Sequence, residues 1–404
     1  MTVFFVGNGY DLHHNFPTGY LNFLNTVKFL IEKYDDSFGT VGNVFGNNDL
    51  QIKDDFIKRC YDKHGKIYDF TPLSKEKIDS IITRAKDNMW FNYFCNSVAK
   101  DIKWIDFEKE IIRVLAAFSN FFNYEGSMQL TRDRVIFNFS EFPEDPEDRY
   151  ILLQFKFFFE ECEDSWIGRS HMMYIIPKYA VEKIAGSHSY HLLTDEIASE
   201  LYISLREFTN VLRDYLLCFV DAPSQQYINE GIKPNFVGLP TPNRVYSFNY
   251  TNTFEILHDN NMIEHIHGNT NAEIVLGINP DRNDDWGNTD TTFLQFKKYF
   301  QRVFFKTDTG FLNQMNYVRR TPRSNDTKLF VIGHSLDSTD EDIIKQVFES
   351  AKSIVILYHN ETSVKNQIKN LVEMYGKDGF DRLREDKDLQ FLPQGEIRWE
   401  VISQ

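Results

Sequence analysis

Apolar and polar positions change rhythm twice along this chain. Val3–Val6 is a short apolar run that breaks at Gly7-Asn8-Gly9, the pattern of a buried strand entering a tight loop. Pro17-Thr18 then opens a helix. Thr18 is its expected N-cap, and Tyr20, Phe23, Leu24, Val27, Leu30 and Ile31 share one face. From about residue 35 to 240 the texture differs. A Gly/Asn-rich stretch at 39–48 gives way to long helical periods. One is carried by Trp104, Phe107, Ile111, Val114, Leu115 and Phe118, another by Ile197, Leu201, Phe208, Leu212, Tyr215 and Phe219. Arg134–Phe139 has the look of a strand within this region, and Pro143–Asp148 that of a solvated acidic loop. Strand–loop–helix alternation returns from about Asn243. Strands are expected at Arg244–Phe248, Met262–Ile266, Glu273–Ile278, Lys328–Ile332, Ser353–Leu357 and Ile397–Ile402. Ser338-Thr339-Asp340-Glu341 reads as the capping box of the helix between the fourth and fifth.

Alternation of this kind predicts an α/β fold with a parallel, doubly wound, Rossmann-like sheet. Residues 1–34 and 241–404 form the expected sheet domain, discontinuous in sequence. Residues 35–240 form a large, mainly helical insertion.

Composition adds constraints. With 42% hydrophobic and 25% charged residues in 404, the chain is ordinary globular protein. The 15% aromatic content points to a bulky core. Acidic residues outnumber basic ones, 59 to 44, and no basic block occurs. Strong nucleic-acid binding is therefore not expected, because counterion release needs clustered cations. Cys60, Cys95, Cys162 and Cys218 are far apart with no C-x-x-C, which suits a reducing compartment. The chain is expected to be cytoplasmic. Its opening residues read as a strand and not a signal peptide, and no apolar stretch is long enough to span a membrane.

Ligands of doubly wound sheets bind beyond the carboxyl ends of the strands. Four loops there are rich in Gly, Asn, His and Asp: 7–14, 249–252, 265–268 and 333–337. Gly7-x-Gly9 would let backbone N–H groups approach a phosphate, or would simply make a tight turn; a third fingerprint glycine is replaced by Leu12. Asn249 suits a sugar hydroxyl or an Asx-turn. His267, followed by Gly268, suits a general base or a histidine satisfied by a carbonyl. His265 and His267 share a strand face, but no convincing carboxylate set joins them as metal ligands. Asp337 and Asp340 read as turn and cap residues before catalytic acids.

Together these loops resemble the AbiH bacteriophage abortive-infection family. The resemblance rests on Gly7-Asn8-Gly9-Tyr10-Asp11-Leu12-His13-His14-Asn15-Phe16-Pro17-Thr18-Gly19-Tyr20, Trp104-Ile105-Asp106-Phe107-Glu108, Ser247-Phe248-Asn249-Tyr250-Thr251, Ile266-His267-Gly268 and Gly333-His334-Ser335-Leu336-Asp337. A deeper resemblance is to the sirtuin, SIR2-like NAD-binding fold. Gly7 and Gly9, followed by Phe16-Pro17, look like the sirtuin glycine turn and its apolar-Pro pair. Asn249 matches the Asn of the Thr-Gln-Asn-Ile-Asp loop, His267-Gly268 the catalytic His-Gly, and Gly333-His334-Ser335-Leu336 the late Gly-Thr-Ser-Leu loop. Asn360 falls on the element that contacts adenosine. This sequence departs from the pattern at Asp11, where sirtuins carry Ser, and at Thr251, where they carry Asp. The zinc-binding Cys quartet is absent, so a protein deacylase is not implied.

The resemblance implies an antiphage NAD glycohydrolase, with NAD as substrate and no metal. Asn249 and His267 would be catalytic. Gly7, Asn8, Gly9, Asp11, Gly268, Gly333, His334, Ser335 and Asn360 would bind the nucleotide, with Gly7 and Gly9 at the pyrophosphate. NAD or a related nucleotide, a phage-derived trigger and a second copy of the chain are the expected partners, with no membrane. A second reading is a non-catalytic nucleotide sensor. A third is a metal-dependent nuclease or phosphoesterase built on His265, His267 and Asp337.

Overall fold

A computed structural model of the chain describes residues 1–14, 16–33, 75–98, 106–123, 128–131, 134–137, 145–165, 168–182, 190–222, 224–225, 232–236, 240–258, 263–279, 291–320, 326–394 and 399–403. It divides into two compact units. The first comprises Met1–Ile81, Asn210–Asn279 and Lys298–Gln404; the second comprises Ile82–Thr209 and Pro280–Lys297. Of the features expected from sequence, the 39–48 loop, Trp104, Met262 and Ile397 lie outside the described residues.

The first unit is built on six strands: β1 (Thr2–Val6), β2 (Arg244–Ser247), β3 (Ile263–His265), β4 (Lys328–Ile332), β5 (Ser353–Tyr358) and β6 (Leu389–Pro393). Their spatial order is β3-β2-β1-β4-β5-β6, and every pairing is parallel. That is the Rossmann-like order, with its switch point between β1 and β4. Val3 pairs with Leu329 and Val6 with Ile332 across this central seam. Both strands are apolar runs without alternation because helices cover both faces. Val3, Phe5, Leu329, Val331, Ile354 and Ile356 enter one core, packed beneath Ile343, Val347 and Phe348 of the helix Glu341–Ser350.

Several elements differ from the sequence expectation. The first long helix runs Tyr20–Lys33 and begins with the Phe23 N–H bonding to the Gly19 carbonyl, so Thr18 does not cap it. Glu273–Ile278 is not a strand of the sheet, although Ile274–Ile278 is buried. Its backbone is satisfied elsewhere: the Val275 N–H donates to the His267 carbonyl, and the Gln301 side chain bonds both N–H and C=O of Leu276. A strand signature in sequence reports burial and extension, and a side-chain amide here supplies what a neighbouring strand would. The sixth place in the sheet is taken by β6. Trp399–Ser403 instead pairs antiparallel with Ile232–Phe236, apart from the main sheet.

The second unit is helical around an aromatic core, with two antiparallel sheets among its described residues, the smaller pairing Ala180–Glu182 with Tyr190–Leu192. Trp90 and Phe94, on the helix Met89–Val98, pack with Phe107, Phe155 and Phe208, and the Trp90 indole N–H donates to the Leu201 carbonyl. Asp106 caps the helix Phe107–Phe122 by accepting from the N–H groups of Glu108 and Lys109. The Asp106-Phe107-Glu108 segment is thus a helix start whose aromatic residue anchors the core. Four strands, Met128–Thr131, Arg134–Phe137, Gly168–Ile175 and Phe158–Ser165, lie in that order. Only Arg134 onward was legible as strand beforehand. Among the described residues no helix is long and apolar enough to cross a membrane.

Leu329→Ala removes a fully buried side chain at the central seam and is expected to cost about 3 kcal/mol, while the exposed neighbour Lys328→Ala should stay within about 0.5 kcal/mol. Urea unfolding of both variants checks this; equal losses would mean that the seam is not the core.

Candidate functional site

All four polar loops meet at the C-terminal edge of the sheet. The loops after β1 and β4 touch backbone to backbone. The Gly7 N–H donates to the Ile332 carbonyl at 2.9 Å, and the Gly9 N–H to the Gly333 carbonyl at 2.8 Å. A Cβ on Gly7 would lie 2.7 Å from the His334 Cα, and one on Gly9 would lie 2.8 Å from the Gly333 Cα. Gly333 has φ +64°, and its Cβ would meet the Tyr10 N at 2.3 Å. These glycines therefore exist to let two loops interpenetrate at the switch point. The N–H groups of Gly7 and Gly9 are already engaged with protein carbonyls. The role expected for them at a pyrophosphate gains no support from this geometry.

Asp11 and Thr251, the two departures from the sirtuin-like pattern, are in contact. The Thr251 hydroxyl donates to Asp11 Oδ2 at 2.6 Å, joining the first loop to the second. Asp11 Oδ1 has no hydrogen-bond partner. Burial pushes the Asp11 carboxyl up to about 7, against the hydrogen bond from Thr251. Asn249 is likewise buried with Oδ1 unpartnered. Its carbonyl accepts from His265 Nδ1 at 2.9 Å. His265 Nε2 meets Glu255, so both ring nitrogens of His265 act as donors; burial opposes protonation, but Glu255 and the Asn249 carbonyl hold its pKa above the usual value.

A second network, unnoticed in sequence, locks the second loop to the third. Asp221 accepts from the Asn252 backbone and side chain, both at 2.9 Å, and from the Thr270 hydroxyl. Asn269 donates to Asn252 at 2.9 Å. Burial pushes Asp221 up to about 6, opposed by these bonds.

The third and fourth loops share one carboxylate. His267 Nε2 stands 3.2 Å from Asp340 Oδ1, and His334 Nε2 stands 3.6 Å from Oδ2. The His267 contact is close without the alignment of a hydrogen bond, since Nε2 has no such partner. Phe248 packs edge-on against both imidazoles. The Leu336 N–H donates to His334 Nδ1 at 2.9 Å, which fixes the proton of His334 on Nε2. Lys298, only 1% exposed, places its ammonium 3.0 Å from Asp340 Oδ1. Asp340 is therefore no capping-box residue. It leads the helix Glu341–Ser350 without a side-chain cap bond, while Asp337 caps the preceding turn through the Thr339 N–H. Burial opposes the ionisation of Asp340, but Lys298 and the two histidines hold its carboxyl well below the usual range. Burial pushes His267 down to about 4, Asp340 opposing and Lys298 and Arg302 reinforcing, so the imidazole is neutral near pH 7.

The remaining candidates are placed differently. Gly268 has φ +71° and a Cβ position 1.7 Å from the Glu273 carbonyl oxygen, so the turn itself demands glycine. Asn8 and Ser335 are exposed on their loops. Asn360 forms a capping box with Ser363 at the start of the helix Glu361–Asp386. His14 donates to the Tyr10 carbonyl through Nδ1. Asp221, Glu255, Lys298 and Arg302 were missed. An acidic or basic residue inside an apolar helical period, such as Lys298 and Arg302 among Tyr299, Phe300, Val303 and Phe304, was the available signal.

A six-stranded parallel sheet with a buried polar cluster at its switch-point edge defines a Rossmann-like α/β protein with a candidate small-molecule site. A family model for bacteriophage abortive infection AbiH proteins matches residues 3–359. The chain belongs to that family, and its role is in abortive infection as a phage defence. No curated protein and no solved structure matches it.

Two outcomes are expected. Gly376 also has positive φ but nothing within 4 Å of its Cβ position, so Gly376→Ala should cost about 1 kcal/mol for backbone strain alone. Gly333→Ala adds the collision with Tyr10 and should cost clearly more, ~2–4 kcal/mol. Equal shifts in chemical denaturation would rule out the loop-packing account. The second concerns Asp11. Its carboxyl holds a proton to about pH 7 when folded, against 3.8 ordinarily. Between those values the folded state binds more protons than the unfolded, so this group lowers stability as pH rises through the window. Asp11→Asn removes the penalty and keeps an acceptor for Thr251. The gap in Tm between variant and parent should grow in the variant's favour from pH 5 to pH 8, by on the order of 2–4 kcal/mol in stability. A gap independent of pH would contradict the burial of Asp11.

Proposed function

We propose that the site binds NAD and hydrolyses its nicotinamide–ribose bond, so that the cell loses NAD during infection. One observation carries the reading. Two buried acceptors, Asp11 Oδ1 and Asn249 Oδ1, are unpartnered after adjacent strands, and the neutral His267 follows the next strand of the same sheet. Buried acceptors without donors are costly, and a ribose, with its hydroxyl donors, relieves that cost. In the reaction, water adds to the anomeric carbon of the nicotinamide ribose through an oxocarbenium-like state. The carbon–nitrogen bonding pair leaves on the pyridinium nitrogen, giving neutral nicotinamide and ADP-ribose. Asn249 orients the ribose and the water. His267, its Nε2 turned toward Asp340, takes the water proton on the opposite nitrogen. The sirtuin-like matches at Asn249 and His267-Gly268 support these roles.

A second reading is favoured by a specific feature. Asp11 and Thr251, where the sirtuin-like pattern has Ser and Asp, are spent on each other, which suits a site that holds a nucleotide as a sensor without turning it over. The metal-dependent reading has less to use: His265 is held at both nitrogens, and Asp337 is occupied as a cap.

Purified protein is incubated with NAD, alone and with phage lysate, and nicotinamide release is followed. The activated protein should release nicotinamide, and His267→Gln or Asn249→Ala should each lower the rate by ~10²-fold or more with the Tm retained within a few degrees. Turnover of His267→Gln at the parental rate would remove the general base. Tight NAD binding with no release under any condition would establish the sensor instead.

A further inference from the structure

We infer that Lys298 is a positioning residue for this site: it pins the Asp340 carboxylate between His267 and His334 and thereby keeps His267 unprotonated. The inference rests on the reading of His267 as a proton acceptor. Lys298 and His267 address the same oxygen, Asp340 Oδ1, at 3.0 and 3.2 Å. All three groups are buried.

The helix that carries Lys298, Lys298–Phe305, is turned inside out. Lys298, Gln301 and Arg302 are buried, while Val303 is 67% and Phe304 69% exposed. Exposing Phe and Val to bury Lys and Arg opposes the hydrophobic effect, so the polar face must be held by specific bonds. It is. The Lys298 N–H donates to the Ile278 carbonyl, Gln301 bonds Leu276 in both directions, and Arg302 pairs with Asp342 and lies 3.6 Å from Asp308. These bonds tie the helix to the segment that follows His267, and so fix where the ammonium sits.

The charge logic follows from who else can serve Asp340. The charged groups that bear on His267 are Asp340, Lys298 and Arg302, and Arg302 is committed to its own two carboxylates. While Lys298 is present, the Asp340 charge is matched and His267 stays neutral. Without Lys298 the carboxylate draws a proton onto an imidazole. The Nδ1 lone pair of His334 is already occupied by the Leu336 N–H. His267 is the group left, and once protonated it is no longer a base.

The test uses the full-length chain with isotopically labelled histidine, the His267 resonance being assigned by its loss in His267→Gln. In Lys298→Met the His267 titration midpoint should rise by at least about one pH unit, tenfold in proton affinity, whereas Lys298→Arg should leave it within a few tenths. Nicotinamide release by activated Lys298→Met should fall about threefold below the parent on the acid limb, near pH 4.5, and match the parent on the plateau at pH 8. A merely structural defect would depress activity equally at both. The double variant Lys298→Met/Asp340→Asn strands no buried charge, and its His267 midpoint should return toward the parental value. A midpoint unmoved in Lys298→Met, or still raised in the double variant, overturns the inference. A shifted midpoint in a protein whose wild type releases no nicotinamide keeps the Lys–Asp–His coupling and removes the hydrolase reading.

Discussion

The polar edge of this molecule is set by backbone packing against backbone where the sheet reverses its winding. β1 and β4 are neighbours in space although hundreds of residues separate them in sequence, and their following loops occupy the same small volume. No side chain fits between Gly7, Gly9 and Gly333, and two hydrogen bonds from the first loop end on carbonyls at and just after the end of β4. That contact fixes the direction in which each loop leaves. It sends Asp11 toward the second loop and His334 toward Asp340. Once these are placed, His267 and Asn249 follow from strand pairing, because β2 and β3 extend the same sheet in register. The glycines of a nucleotide-like fingerprint thus serve assembly of the site before any ligand is considered.

The second constraint is charge in a dry place. Asp340, Lys298, Arg302 and Asp308 are all buried, and burying them has no hydrophobic return. Such clusters are tolerated when every charge is matched, and removing one member costs far more than the pair contributes. A protein assembled for stability alone would fill this space with Leu and Ile. Instead the helix Lys298–Phe305 leaves Phe304 and Val303 in solvent to deliver an ammonium beside two histidines. Perturbed titration, a neutral buried histidine and an ionised buried carboxylate in one cluster mark a functional site more often than a structural one.

Legibility in sequence followed the physics of each feature. Val3–Val6, Lys328–Ile332 and Ser353–Leu357 were readable because a strand covered on both faces is a continuous apolar run. Leu389–Pro393 was not, since an edge strand has one open face and Gln390 and Pro393 dilute its pattern. Glu273–Ile278 read as a strand because burial and extension are all that pattern reports. The four loops were readable from Gly, Asn, His and Asp clustering after strands. Asp340 was visible yet assigned to a cap, because its partner Lys298 lies 42 positions away. The inverted helix was the least legible element: period-3.6 reasoning places Tyr299, Phe300, Val303 and Phe304 inward, and only the unfavourable burial of Lys298 and Arg302 shows the true orientation.

Asp11 and Thr251 bear most directly on whether this site performs chemistry. Taken singly, each is a lost residue of the sirtuin-like pattern, and two losses would argue for a site that has decayed into a binding pocket. In space they are one hydrogen-bonded pair, a carboxylate on the first loop and a hydroxyl on the second. The pattern they depart from has the hydroxyl on the first loop and the carboxylate on the second. The exchange keeps one acid and one alcohol at the junction and reverses which strand supplies each. A decaying site has no reason to preserve that balance, because a buried carboxylate raised to about 7 is a standing cost to the fold. A site that uses a carboxyl and a hydroxyl together at this junction would. Asp11 Oδ1 is unpartnered at this junction, and a hydroxyl donor brought by a ligand would offset that cost.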